Sequence, residues 1–142
     1  MPRTRQRGWS FIELLIVLTV VAIMMAVAVP VYRDFVVKTN ETAAMQAVHT
    51  IHTAEIQYFA QNNRYAASIC DLAGKFNTTE LANGTKGGYK FSVEETQTGY
   101  AIRAEPMKCG ANGNRSFYSD DTMIVRQEKC LAPATAQSEE IH

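Results

Sequence analysis

A run of apolar residues near the N-terminus constrains the fold of this chain more than any other feature. From Leu14 to Val29 the only residue that is neither aliphatic nor methionine is Thr19. A helix from Trp9 to Tyr32 would be roughly 36 Å long at about 1.5 Å per residue, which exceeds the ~30 Å hydrocarbon core of a bilayer. The run therefore predicts a membrane-spanning helix.

Charges near this run predict its orientation and a partner. Arg3, Arg5 and Arg7 precede it with no acidic residue among them. Basic residues stay on the cytoplasmic side, so we expect a single pass with a cytoplasmic N-terminus and an exported remainder. Glu13 interrupts the start of the run. A carboxylate at mid-span costs about 2.5–3.5 kcal/mol on insertion scales, so an acid in this position implies a partner.

The junction between the basic leader and the apolar run resembles a known processing motif. Gly8, an aromatic residue and then Ser10-Phe11-Ile12-Glu13-Leu14-Leu15 are followed by a long apolar helix with Pro30 further along. This order is similar to the prepilin N-terminus of type IV pilins and type II secretion pseudopilins. The resemblance is strong from Gly8 to about Tyr65 and only architectural beyond that point.

The resemblance implies a processing site and an assembly contact. A prepilin peptidase would cut after Gly8, and the new amine of Trp9 would be methylated, although the family usually has Phe or Met there. Glu13 would pair with the N-terminal amine of a neighbouring subunit and set the register between subunits. At Pro30 we expect a helix kink rather than a helix end, because the helical pattern resumes at once.

The helix from Lys38 to Gln61 carries two apolar stripes. The first contains Ala44, Ala47, Val48, Ile51, Ala54 and Tyr58, and the second contains Met45, His52, Ile56 and Phe59. A surface helix of a monomer needs only one stripe, so two stripes predict burial against a sheet of the same chain and against helices of neighbouring subunits. A single wide face covered by loops of the same domain is the alternative.

Two groups of residues could suggest metal sites. His49, His52 and Glu55 lie at helical spacing, but 49 and 55 diverge around the helix and no fourth ligand is identifiable. We therefore interpret the histidines as solvated or interface residues. Asp120-Asp121 lacks the spread of oxygen ligands that Ca²⁺ needs and is interpreted as a turn. We predict no metal and no cofactor.

The remaining chain predicts an α+β fold, in which the long N-terminal helix packs on a small antiparallel four-stranded sheet. The expected strands are Tyr89–Val93, Tyr100–Ala104, Arg115–Ser119 and Met123–Arg126, with Tyr89, Phe91, Val93, Tyr100, Ile102, Phe117 and Ile124 buried. The predicted domains are a leader (1–8), the membrane-spanning and polymerisation half of the helix (9–37) and a globular head (38–142). The tail from Leu131 to His142 is expected to be loose.

Three cysteines in an exported domain favour one disulfide and one free thiol. In an antiparallel meander, Cys109 and Cys130 lie just beyond strand ends that share one edge, so we predict that they pair. Pairing of Cys70 with either of them is the alternative.

Composition and motifs bound the function. Without Arg3, Arg5 and Arg7, eleven of the fourteen basic residues remain against fourteen acidic ones, a net charge of −3. With no long basic block, composition does not support direct nucleic-acid binding. The chain contains no G-x-S-x-G, H-E-x-x-H or P-loop motif, so we predict that it is not an enzyme.

The resemblance implies a structural subunit of a type IV pilus, a homo-oligomeric filament. Its precursor would sit in lipid of the bacterial inner membrane and meet the prepilin peptidase and the pilus assembly machinery, and the assembled pilus would lie on the cell surface. A type II secretion pseudopilin is one alternative. A secreted soluble binding domain, cut after Ala28 within Ala26-Val27-Ala28, is an alternative of another class.

Overall fold

The computed structural model describes residues 8–141, which form two compact units, one ending at Asp34 and the other beginning at Phe35. The leader arginines lie outside the described residues. The longest element is helix α1, Phe11–Asn62, which passes through both units.

The first unit is helical and apolar. Every described residue up to Asp34 is exposed, and the helix contains an 18-residue window with mean hydropathy 2.9. By length and composition, α1 can therefore cross a membrane. Helical structure continues on both sides of Pro30. The kink expected at this residue stays a prediction.

The second unit contains a six-stranded antiparallel sheet whose strands follow sequence order. They are β1 Thr85–Lys86, β2 Tyr89–Glu95, β3 Tyr100–Pro106, β4 Arg115–Asp120, β5 Arg126–Lys129 and β6 Glu139–Glu140. The predicted α+β class and the first three predicted strands, now β2 to β4, are confirmed. The expected number of four strands is wrong, because a two-residue strand lies at each edge.

The fourth predicted strand, Met123–Arg126, is placed too early. Met123 has a φ of 61°, and its N–H donates to the Asp120 carbonyl at 2.9 Å, so the turn after β4 extends through this residue. A left-handed residue cannot continue a strand, and pairing begins only at Arg126. Ile124 is consequently 38% exposed rather than buried.

The tail is not loose, contrary to expectation. Strand β6 pairs with β5, and the Ile141 N–H donates to the Val125 carbonyl at 3.0 Å. Arg126 forms an ion pair with Glu140 at 2.8 Å, and Ile141 packs against the core. These contacts fix the tail to the sheet as far as Ile141, the last residue described.

A short connecting region joins α1 to the sheet. It contains a 3-10 helix, Ile69–Lys75, and helix α2, Thr79–Ala82. Leu72 and Leu81 are buried and anchor these turns in the core.

The core lies between α1 and one face of the sheet. Strand β2 alternates buried and exposed residues, as expected for a sheet covered on one side. The members of the first apolar stripe from Ala44 to Ala54 are buried against Tyr89, Phe91, Tyr100, Ile102 and Phe117. In the second stripe, His52 is buried, whereas Ile56 and Phe59 are 49% and 42% exposed.

An ion pair between a buried glutamate and a partly exposed arginine ties the start of this helical segment to the sheet. The Glu41 side chain is only 6% exposed and meets Arg115 of β4 at 2.6 Å (Nη2) and 2.9 Å (Nε). Its second carboxylate oxygen accepts the Asn114 N–H at 2.9 Å. Asn40 adds a hydrogen bond to the Asn112 carbonyl at 3.0 Å. Polar contacts therefore fix the helix against β4 and the loop before it.

Removing the arginine from this pair should destabilise the second unit. Arg115→Met leaves Glu41 as a buried, unpaired charge, so we expect a loss of about 3 kcal/mol, at the low end for a broken buried pair. Arg103→Met breaks the Arg103–Glu94 pair, whose side chains are 43% and 52% exposed, and should cost less than about 1 kcal/mol. Urea unfolding of both variants measures the difference, and equal losses would contradict a special role for Glu41.

Candidate functional site

The predicted processing site lies just before α1. Gly8 and Trp9 are both exposed, and no atom of residues 8–141 lies within 4 Å of the position that a Cβ on Gly8 would occupy. The peptide bond between them is therefore open to an enzyme. This geometry agrees with cleavage after Gly8, which stays a prediction.

Glu13 occupies the first turn of α1. Its carboxylate accepts the Ser10 N–H at 3.4 Å, a long hydrogen bond in the manner of a helix cap. Acidic residues are favoured at this end by the helix dipole. Within residues 8–141, no cationic side chain lies within ion-pair distance of Glu13. The carboxylate remains available to a positive group supplied from elsewhere.

The disulfide joins the loop after β3 to the end of β5. Cys109 and Cys130 are bonded, with their Cα atoms 5.8 Å apart. Cys70 is an exposed free cysteine, so the alternative pairings do not occur. The Cys130 N–H also donates to the Asn114 carbonyl at 3.0 Å. The bond and this contact hold both loops at one end of the sheet.

His52 is a buried link between α1 and the sheet. Its Nδ1 lies 2.7 Å from the Tyr100 hydroxyl, and its Nε2 lies 2.8 Å from the Ser119 hydroxyl. Ser119 donates its own proton to the Ile124 carbonyl at 2.9 Å. Ser119 must therefore accept the Nε2 proton, while Tyr100 donates to Nδ1, which assigns a neutral imidazole.

This environment disfavours the charged form of His52. Burial lowers its pKa to about 4, and nearby His49 acts in the same direction, whereas Asp120 partly opposes them. The interpretation of His52 as solvated or at an interface is wrong, because a buried network inside one chain holds it. His49 is exposed.

Glu55 is the third buried polar residue of α1. One of its oxygens accepts the Ala66 N–H at 3.0 Å, and the other has no hydrogen-bond partner within the described chain. Burial raises the pKa of this carboxyl. Glu55 fixes the chain where it leaves α1, and both nitrogens of His52 are engaged elsewhere. His49, His52 and Glu55 therefore do not converge on a metal.

Spacing along α1 could have identified Glu41 and Glu55 as residues of the buried helix face. Glu41, Ala44, Val48, Ile51 and Glu55 are separated by three, four, three and four residues, which places them on one helix face. The predicted stripes included neither glutamate, because acidic side chains were not counted as members of an apolar face. Arg115, the partner of Glu41, has no local sequence signal.

Comparisons with known families divide the chain into two parts. Residues 3–29 match the prokaryotic N-terminal methylation motif. Residues 30–117, more than half of the chain, match the family described as type IV minor pilin ComP, DNA uptake sequence receptor.

Curated relatives are pilins and fimbrial proteins. A Pseudomonas aeruginosa fimbrial protein is 39% identical over 98 residues, covering 66% of this chain and 63% of the relative. The type IV major pilin protein PilA of Myxococcus xanthus is 28% identical over 89 residues, covering 63% and 38%. A Neisseria meningitidis fimbrial protein is 30% identical over 90 residues, covering 57% and 53%. The chain thus spans about two fifths of the Myxococcus xanthus pilin and about half of the Neisseria meningitidis protein.

The buried histidine should make stability fall in mild acid. The pKa of His52 is about 4 in the folded chain and 6.5 in the unfolded chain. His52 therefore contributes its full share of the free energy of unfolding above pH 6.5, and this contribution is lost as the pH falls toward 4. The loss should reach about 3 kcal/mol. Urea unfolding of the full chain in detergent between pH 4 and 7 measures it.

His52→Gln is the control, because it cannot titrate. Its stability should change less over this pH range than that of the unaltered chain. His49→Gln removes only the smaller of the two causes that lower the His52 pKa, so it should retain most of the dependence. Parallel profiles for the unaltered chain and His52→Gln would contradict the assignment of a buried neutral imidazole.

Proposed function

Because this chain belongs to the type IV pilin family, we propose that it is a structural subunit of a type IV pilus, made as an inner-membrane precursor. The observation that carries the proposal is the first unit of the molecule. An apolar helix with every described residue exposed has to be covered by lipid or by other helices. A precursor in the membrane and a filament built from helices supply these two environments in turn.

Processing precedes assembly in this proposal. A prepilin peptidase cuts after the exposed Gly8, and the new amine of Trp9 is methylated. The match of residues 3–29 to the N-terminal methylation motif supports this order. The same match favours this cut over one after Ala28, and the pilin and fimbrial names of the relatives favour a pilin over a secretion pseudopilin.

Glu13 then pairs with the new amine of a neighbouring subunit. The carboxylate has no cationic partner among the described residues, and an apolar environment penalises an unpaired charge. The amine at Trp9 is likewise costly to bury alone. Pairing neutralises both and selects one axial register, because other registers leave both charges unpaired.

Sheared surface filaments test this function. In cells that carry a pilus assembly system, filaments should contain this chain beginning at a methylated Trp9, as measured by mass spectrometry. Glu13→Val should leave the chain in the membrane fraction, because a stranded amine costs on the order of 3–5 kcal/mol.

Thr19→Val provides a matched control in the same helix. Among the residues that the structure describes, the Thr19 hydroxyl bonds only to the Leu15 carbonyl of its own helix, so filaments should form normally without it. A mature chain beginning at Val29, or normal filaments from Glu13→Val, would overturn the assembly proposal.

A second candidate function is DNA binding, which the description of the matching family names. Lys86, Lys90 and Lys108 favour it, because strand register and the bond from the Met107 N–H to the Gly88 carbonyl place them near one end of the sheet, where Glu105 lies opposite Lys90. Lysines in such a cluster can contact phosphates without reading sequence. The composition of the chain, averaged over all residues, did not indicate this cluster.

DNA binding has a quantitative test in its dependence on salt. Replacing the three lysines with glutamine should weaken binding of the chain to double-stranded DNA. It should also make the plot of log affinity against log salt shallower by up to about 2.7, or 0.9 per phosphate contact. Lys75→Gln, in the 3-10 helix, is the control. An unchanged slope would exclude these lysines as phosphate contacts.

A further inference from the structure

Leu131 is an exposed apolar side chain on a constrained backbone. Leu131 is 90% exposed and follows Cys130. The disulfide to Cys109 and the bond from the Cys130 N–H to the Asn114 carbonyl fix Cys130 to the loop before β4. The Ala132 N–H donates to the Lys129 carbonyl at 3.0 Å, which closes a turn around Leu131. A backbone held in place in this way loses little conformational entropy when a partner covers the Leu131 side chain.

A groove lined by five apolar and two polar residues lies at the opposite end of the same strand, and we call it the β5 groove. It has a volume of about 420 Å³ and is lined by Met45, His49, Met123, Ile124, Val125, Glu140 and Ile141. Met123 is 48% exposed on its rim. Methionine side chains adapt their shape to an inserted group, so such a groove suits an aliphatic side chain.

We propose that the β5 groove of one subunit receives Leu131 of the next copy of this chain. The inference rests on the proposed function, because it specifies a contact between heads in the filament. Val125 and Leu131 flank β5 on opposite sides, so one chain cannot fill its own groove. A copy displaced along the strand direction brings the two together.

The symmetry of a filament favours this contact. An open helical filament uses a heterologous interface, in which a projection on one subunit meets a different surface on the next. Leu131 and the β5 groove form such a pair. A closed two-fold dimer would instead use each contact twice and stop growth.

The charges near the two surfaces have opposite signs, which also favours contact between Leu131 and the groove. Lys129 is exposed two residues before Leu131, and Asp121 is exposed two residues before Met123, whereas Glu140 of the groove is already paired with Arg126. Opposite charges around an apolar contact favour the correct approach and oppose groove-to-groove pairing. The structure thus supports one occupant of the groove, a second copy of this chain.

Photo-crosslinking of full-length subunits in assembled filaments tests the contact. Leu131→p-benzoylphenylalanine should crosslink to peptides that contain Met45 or Met123 and should give a ladder of multimers after denaturation. The exposed position means that the replacement leaves the core intact. The same replacement at Gln137, an exposed residue in the same tail, should not label these peptides.

A charge substitution gives an independent measurement. Leu131→Glu should reduce the yield of filaments about tenfold, equivalent to about 1.4 kcal/mol per contact, because it places a carboxylate in the groove beside acidic residues. Gln137→Glu adds the same charge in the same tail and should leave the yield unchanged. Equal yields from the two variants would overturn the proposed contact.

The outcomes separate this inference from the proposed function. Filaments that contain the chain but show crosslinks elsewhere, or dimers only, would overturn the groove contact and leave the pilin function standing. Absence of the unaltered chain from filaments would overturn both.

Discussion

The attachment of α1 to the sheet is the interaction on which the second unit depends. Apolar packing by residues such as Val48 and Ile51 excludes water, but it does not by itself fix the position of a helix along its axis. Directional contacts supply that information, with Glu41 bonded to β4 and His52 bonded to β3 and β4. Because buried polar groups are costly when misaligned, a shifted helix would lose these bonds and retain their desolvation cost. The polar contacts therefore define one alignment.

Sequence patterns predicted the features that arise from repetition. The apolar run and the alternation in β2 follow from spacing along the chain, and the disulfide followed from the order of strands in the predicted meander. Features that depend on one residue or on distant partners were missed. Nothing near Met123 indicates a left-handed residue, so β5 was placed three residues early. The ion pair of Glu41 joins positions 74 residues apart, and no local pattern reports such a pairing.

The family match and the geometry point to a structural protein. The buried histidine, glutamates and tyrosines are engaged with one another or with backbone groups, and they serve to hold the head together. Exposed groups that remain free for other molecules lie at the start of α1 and at the two ends of β5. The residues that stabilise the fold therefore lie in the interior of the second unit, and the residues of the proposed assembly contacts lie on the surfaces of both units.

The short edge strands affect whether the sheets of neighbouring molecules can join when the molecules are crowded. Strands β1 and β6 contain two residues each, with Lys86 in one and Glu139 and Glu140 in the other. Long, uncharged edges invite sheets of different molecules to join through their backbones. Subunits of a polymer are concentrated side by side, so such joining would compete with ordered growth. By leaving only brief, charged edges, the sheet discourages amyloid-like association of the proposed precursor and of the subunits in the proposed filament.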